Sequence, residues 1–168
     1  MSNLIWSRAR SVSRQFVLAV LCTGLAVVAR PQESKKCAEP TPVVDRKFQP
    51  GQVWGVKGRS WEPDATATVL RVETMPKIGV VIHVRIEHVV MHTCPETPAM
   101  TSILHLPIGK DAFDRSVINL IRSNQEIPDF KEGYDDWRAH CGGVYSIDVS
   151  GILAVNEKTV RTHGGCES

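Results

Sequence analysis

The stretch GVVIHVRIEHVVMH, Gly79–His92, decides how the chain folds. Successive strand residues point to opposite faces and rise roughly 3.3 Å each. Val80, Ile82, Val84 and Ile86 therefore share one face, which reads as the core side of a long strand. Val81, His83, Arg85 and Glu87 share the other, which reads as half-exposed. His88 continues the core face unless a bulge intervenes. His83 and His88 point in opposite directions, and His88 and His92 lie roughly 13 Å apart by that rise. Two ligands of one zinc must each come within about 2.1 Å of it, so this strand alone cannot chelate a metal.

Strand signals also flank this stretch. FQPGQVWGVKGR has a turn at Pro50-Gly51 followed by a short strand through Val53, Trp54 and Val56. SWEPDA reads as a turn, and TATVLRVET as a strand with Thr66, Thr68, Leu70 and Val72 on one face. MPKIG connects it to Gly79–His92 as a hairpin. TCPETPAM reads as a loop, and TSILHLPI as a fourth strand stopped by Pro107.

Helical spacing follows. In GKDAFDRSVINLIRSNQ, Phe113, Val117, Leu120 and Ile121 form one apolar stripe, which predicts an amphipathic helix. Phe130, Tyr134 and Trp137 predict a short helical turn, although Gly133 opposes it. GGVYSIDVS reads as a fifth strand, and SGILAVNEKTV as a last helix capped by Ser150. Consecutive strands with short turns pair antiparallel. The expectation is an α+β domain with an antiparallel sheet of about five strands and one to three helices packed on one face.

The 168 residues fit one domain. Residues 1–29 read as a secretory signal: a basic segment with Arg8, Arg10 and Arg14, then FVLAVLCTGLAVVA without charge. That run is shorter than the roughly 20 apolar residues of a membrane span. An uncleaved anchor is the alternative, because Arg30, Lys35 and Lys36 follow the run. Leu21 stands where lipidation at Cys22 wants a small residue. A Pro-rich linker (30–47), a single domain (48–160) and a tail (161–168) complete the organisation. Without the three leading arginines, the 20 Lys and Arg fall to 17 against 18 Asp and Glu. A near-neutral domain gives no reason to propose nucleic acid or an anionic membrane surface as partner.

Cys37, Cys94, Cys141 and Cys166 remain after signal cleavage. An even count in an oxidising compartment reads as two disulfides with three alternative pairings. Cys94–Cys141 with Cys37–Cys166 is the favoured set, because chain ends lie near each other on a domain surface. Disulfide use competes with zinc binding through His163 and Cys166. The chain contains no C-x-x-C, G-x-S-x-G, P-loop or G-x-G-x-x-G pattern. No cofactor and no metal are expected.

Phe48, Gly51, Trp54, Arg59, Glu62, His105, Pro107, Tyr134 and Trp137 form a pattern F-x-x-G-x-x-W, R-x-x-E, H-[ML]-P-[FI] and Y-x-x-W. Over roughly residues 48–160 it resembles a family of small uncharacterised bacterial proteins. The resemblance implies one domain and no particular activity. The signal, the cysteines and HTCPETPAM depart from the family pattern.

The leading functional expectation is a non-enzymatic module that binds a protein or small ligand in the periplasm. Neutralising a secreted toxin is one form of it. The alternative is a hydrolase using Arg59, Glu62, His83 and His105, since His105 on the fourth strand can face His83 across the sheet. An ordinary cross-strand polar pair is the plainer reading of those histidines. Convergence of the four side chains in one cleft separates the two hypotheses.

Overall fold

A computed structural model of the chain describes residues 37–92 and 98–164. The signal and anchor readings of residues 1–29 lie outside them, as do Cys22, Cys94 and Cys166. The elements run β1 (Thr41–Pro42), β2 (Val53–Val56), β3 (Thr66–Met75), β4 (Gly79–His92), β5 (Pro98–Gly109), α1 (Lys110–Ser116), β6 (Val117–Arg122), α2 (Lys131–Ala139) and α3 (Val149–His163). The sheet is antiparallel in the order β5-β4-β3-β2-β6. β2 pairs only with the first residues of β3, and β1 occupies the open edge farther along, opposite Glu73 and Thr74. The protein is thus an α+β domain. No helix among the described residues is long and apolar enough to cross a membrane.

The β3–β4 hairpin is the centre of the structure. Met75 pairs with Gly79 across the tight connection, and the register continues to Thr66 opposite Glu87. Ile82, Val84 and Ile86 are fully buried in the main core. Phe48, Trp54 and Phe113 join them, with Phe113 supplied by α1 and Ile152 and Leu153 by α3.

The opposite face of β4 is half-exposed only at Arg85 and Glu87. Val81 and His83 are completely buried beneath α2, in a second apolar cluster formed by Met75, Tyr134 and Trp137. The helices therefore divide between the two faces, with α1 and α3 on the main core and α2 on the other. The amphipathic face of α2, Tyr134 and Trp137, needs an apolar surface, and Val81 and Met75 supply it.

Several local readings are corrected. His88 adopts a left-handed φ of 59°, and the β4–β5 register shifts between Glu87 and Met91. This bulge leaves His88 exposed and returns Val89 and Met91 to the core. A second shift between Val69 and Arg71 breaks the alternation of β3, so Val72 shares the main core with Ala67 and Val69 rather than following Thr68. VINLIR is strand, not helix: α1 ends at Ser116 and β6 pairs with β2. Its β-branched residues suit the open edge of β2 better than a third helical turn. Pro107 does not stop its strand. β5 is the edge strand of its side, where a missing N–H breaks no ladder, and the Pro107 carbonyl accepts from Tyr145 N–H at 3.0 Å. GGVYSIDVS forms no full strand, only a parallel bridge between Tyr145 and Ile108. The α3 cap is Asp148, whose carboxylate accepts from Gly151 N–H, while the Ser150 hydroxyl donates to that same carboxylate.

The Pro-rich segment is fastened within its described part. β1 joins the sheet, and Asp45 accepts from the N–H groups of Lys47 and Phe48. Cys37 is bonded to Cys141, with their Cα atoms 5.1 Å apart, within disulfide range. The pairings Cys94–Cys141 and Cys37–Cys166 are therefore both replaced. Glu39, just before β1, pairs with Arg138 of α2, which brings Cys37 to Cys141 just past the end of that helix.

Candidate functional site

The four side chains Arg59, Glu62, His83 and His105 form two pairs in two separate clusters. The first begins with the turn GRSWE. Glu62 N–H donates to the Arg59 carbonyl at 2.8 Å, folding the turn so that the guanidinium meets the carboxylate. Arg59 Nε donates to Glu62 Oε2 at 2.8 Å, and Nη2 donates to Glu62 Oε1 at 2.5 Å and to the Val90 carbonyl at 2.6 Å. Val90 N–H donates to Glu62 Oε1 at 2.8 Å. Arg59 Nη1 also donates to Glu157 of α3, which accepts from the N–H of His92 and contacts its Nδ1.

Arg59 and Glu62 are both buried, and Trp61 lies beneath the guanidinium with 5.0 Å to its ring centre. The hydrogen bond to Glu62 raises the Arg59 pKa further. Burial alone would raise the Glu62 carboxyl, but the bonds from Arg59 and from Val90 N–H bring it below its usual range. For Glu157 the same burial is overcome by His92 and Arg59. This cluster ties the turn to β4 and α3 and uses its polar atoms on itself.

The second cluster lies between the sheet and α2. The hairpin register sets Arg71 opposite His83 and Glu73 opposite Val81. His83 in turn pairs with Pro107 of β5, which places His105 beside it on the same face. Glu73 is fully buried, yet its carboxylate has three neighbours. Tyr134 OH donates to Oε1 and Oε2 at 3.0 and 2.9 Å, Arg71 Nε donates to Oε1 at 2.6 Å, and His83 Nε2 stands 3.3 Å from Oε2. That last contact is electrostatic; His83 Nε2 makes no hydrogen bond among the described residues. On its other side, His83 Nδ1 lies 2.9 Å from His105 Nε2.

Aromatic rings enclose the histidines. Trp137 and Tyr134 meet His83 edge-on, with centres 4.8 and 5.3 Å away, and Phe130 stacks near His105 at 6.2 Å. Burial lowers His83 to about 3, helped by the positive charge on Arg71 and by His105. Burial also lowers His105. Burial and the bond to Glu73 push Tyr134 up to about 12, so its hydroxyl stays a donor.

Two members of the cluster reach its surface: Arg71 is partly exposed, and His105 lines open space. Its ring borders a cleft of about 500 Å³ with Trp137, His140, Tyr145 and Asn156, and another of about 570 Å³ with Leu104, Asp129, Phe130 and Gly133. Asp136 borders both.

The three histidines of β4 thus serve three environments: His83 inside the second cluster, His88 on the surface and His92 against Glu157. Among the described residues no group of three metal-ligating side chains gathers. The sequence reading missed Arg71, Glu73 and Tyr134 as partners of His83. Counting back from the hairpin turn would have found the first two, because pairing Met75 with Gly79 sets Arg71 opposite His83.

Of the nine pattern residues, three support the fold and six divide between the two clusters. Phe48 and Trp54 pack edge-to-face in the core, and Gly51, at φ 82°, lies so close to Gln125 that a Cβ would stand 2.6 Å from its carbonyl oxygen. Arg59 and Glu62 make the first cluster, while His105, Pro107, Tyr134 and Trp137 surround the second. No family model, curated protein or solved structure matches the chain.

Proposed function

We propose that the chain is an exported, non-enzymatic binding domain of the periplasm, and that its ligand contacts the His105 clefts. The observation that carries this reading is where the buried polar chain meets a cleft: Glu73, Tyr134 and His83 are enclosed, while His105 lines space of ligand size. The clefts combine aromatic walls with a few polar groups, the composition of a recognition site. The Cys37–Cys141 pairing supports an oxidising compartment and hence export.

The hydrolase alternative required Arg59, Glu62, His83 and His105 to act together. They occupy two clusters, bonded to α3 in one case and packed under α2 in the other. Among the described residues no serine, threonine or cysteine side chain is hydrogen-bonded to His83 or His105 to serve as a nucleophile.

A thermal-shift screen of small metabolites against the wild type, His105→Ala and Val44→Ser tests the reading. Val44 is 91% exposed, away from the clefts' lining residues, and serves as control. Ligands that stabilise the wild type and Val44→Ser but not His105→Ala are expected. If all stabilising ligands act equally on His105→Ala, or none acts on any form, the site assignment is wrong.

A further inference from the structure

The second cluster also fixes which hydrogen-bonding character His105 shows to its ligand. His83 has two ring nitrogens and, when neutral, one proton. Its Nε2 stands 3.3 Å from a carboxylate oxygen of Glu73. A lone pair at that position would face a negative charge, whereas an N–H is attracted to it. Tyr134 and Arg71 already donate to Glu73, and neither contact reverses that preference. The proton of His83 therefore sits on Nε2, and Nδ1 carries the lone pair. The 2.9 Å contact then requires His105 to donate from Nε2. Neutral His105 is left with a lone pair on Nδ1, and Nδ1 has no hydrogen-bond partner among the described residues.

This nitrogen lies on the α2 side of the ring, since a Cβ placed on Gly133 would stand 3.6 Å from it. The cleft of about 570 Å³ opens there. Its rim holds three carboxylates, Asp129, Glu132 and Asp136, against one ammonium, Lys131, which is paired with Asp135. An acceptor at the base and negative charge at the rim favour one kind of ligand.

We propose that the His105 cleft binds a cationic nitrogen, an alkylammonium or guanidinium group, whose N–H donates to His105 Nδ1. The proposal rests on the binding-domain reading above and names the ligand class of that same site. Such a group is found in free polyamines and in the Lys or Arg side chain of a polypeptide. The chemistry at His105 is common to both.

The test is a titration of protein carrying ¹⁵N-labelled histidine, followed through the ring nitrogens by NMR. Agmatine and the blocked peptide acetyl-Ala-Arg-Ala-amide are the two cationic probes, and acetate is the anionic one. The free protein is expected to show His105 protonated on Nε2 and bare on Nδ1. Either cationic probe should shift Nδ1 saturably, and the tighter of the two identifies the source of the group. His105→Phe should abolish the response. The surface pair Asp129→Asn and Asp136→Asn, which leaves the ring box intact, should weaken it about tenfold by removing rim charge.

A free protein with the His105 proton on Nδ1, or a shift with acetate and none with either cation, overturns the proposal. The binding-domain reading would survive that result with a ligand of opposite character. If no probe and no metabolite perturbs His105, that reading falls as well.

Discussion

The molecule buries two ionic clusters, one on each side of its sheet, and completes only one of them. Around Arg59, the guanidinium donates to Glu62, Glu157 and the Val90 carbonyl, and Glu62 in return accepts the Val90 N–H. Around His83, a buried carboxylate, a tyrosine and two histidines form a chain in which His83 Nε2 lacks a hydrogen bond and His105 borders open clefts. A closed network of this kind holds elements together. An open-ended one has polarity left over to offer a ligand. Burial of charge alone would not have separated the two; the accounting of each donor and acceptor does.

The sharpest way to break the comparison is to remove a member of the closed network. Arg59→Ala leaves Glu62 buried without its cation, and removing one partner of a buried pair typically costs about 3–5 kcal/mol. Urea denaturation of the variant is expected to show a loss of that size. A loss under about 1 kcal/mol would place the pair in the range of surface ion pairs and erase the distinction between the clusters.

Acid separates the clusters next, because their groups shift in different windows. His83 is held well below its ordinary 6.5, to about 3, by burial. The unfolded chain therefore takes up this proton first as pH falls. The stability contributed by neutral His83 is complete above pH 6.5 and is lost progressively from there toward pH 3. His105, lowered as well, adds in the same direction. Glu62 and Glu157 are lowered carboxyls, with an ordinary value of 4.5, so their contribution stays intact above that pH and fades only below it. Between pH 6.5 and 4.5 the histidine cluster alone of these two should weaken. Well inside that window, stability should fall by about 1.4 kcal/mol per pH unit for His83. Denaturation curves at half-unit steps measure the slope; a flat profile from 6.5 to 4.5 would mean that His83 is hydrated or already charged.

Much of this frame was legible in the sequence. The period-two pattern of Gly79–His92 and the MPKIG turn give the hairpin, and His105 facing His83 follows from strand order. The bulges were not legible. Nothing in IEHVV marks His88 for a left-handed φ, because the bulge is imposed by pairing with β5, a contact between segments. VINLIR matched a helical stripe because four of its six residues are apolar: Val117 and Ile121 fit both periods, while Leu120 fits only the helical one. The edge of β2 decided it, and left Ile118, Leu120 and Ile121 substantially exposed. The burial of His83 depended on where α2 docks. Tyr134 and Trp137 announced an apolar face, yet not the face of the sheet that would receive it.

The smallest expected effect tests how tightly the open cluster is held, and it falls on Gly133. This residue lies inside α2, where replacing glycine by alanine ordinarily stabilises a helix by about 1 kcal/mol. Here a Cβ would meet the Cβ of His105 at 3.0 Å and its ring at 3.5 Å. To make room, either α2 or the His105 ring must shift, and a shift of the ring stretches its 2.9 Å contact with His83. Gly133→Ala is therefore expected to forgo the helix gain, with a net change near zero or destabilising by about 1 kcal/mol. Steric cost and backbone effect separate in a double-variant cycle. In a His105→Ala background most of the opposing atoms are gone, although the Cβ remains. Adding Gly133→Ala there should recover part of the missing stabilisation. Thermal and urea melts of the four proteins measure the coupling. If Gly133→Ala alone gains the full helix increment, and the cycle is additive, the ring is free to move aside. His105 would then be a loose surface histidine rather than the fixed end of a buried chain.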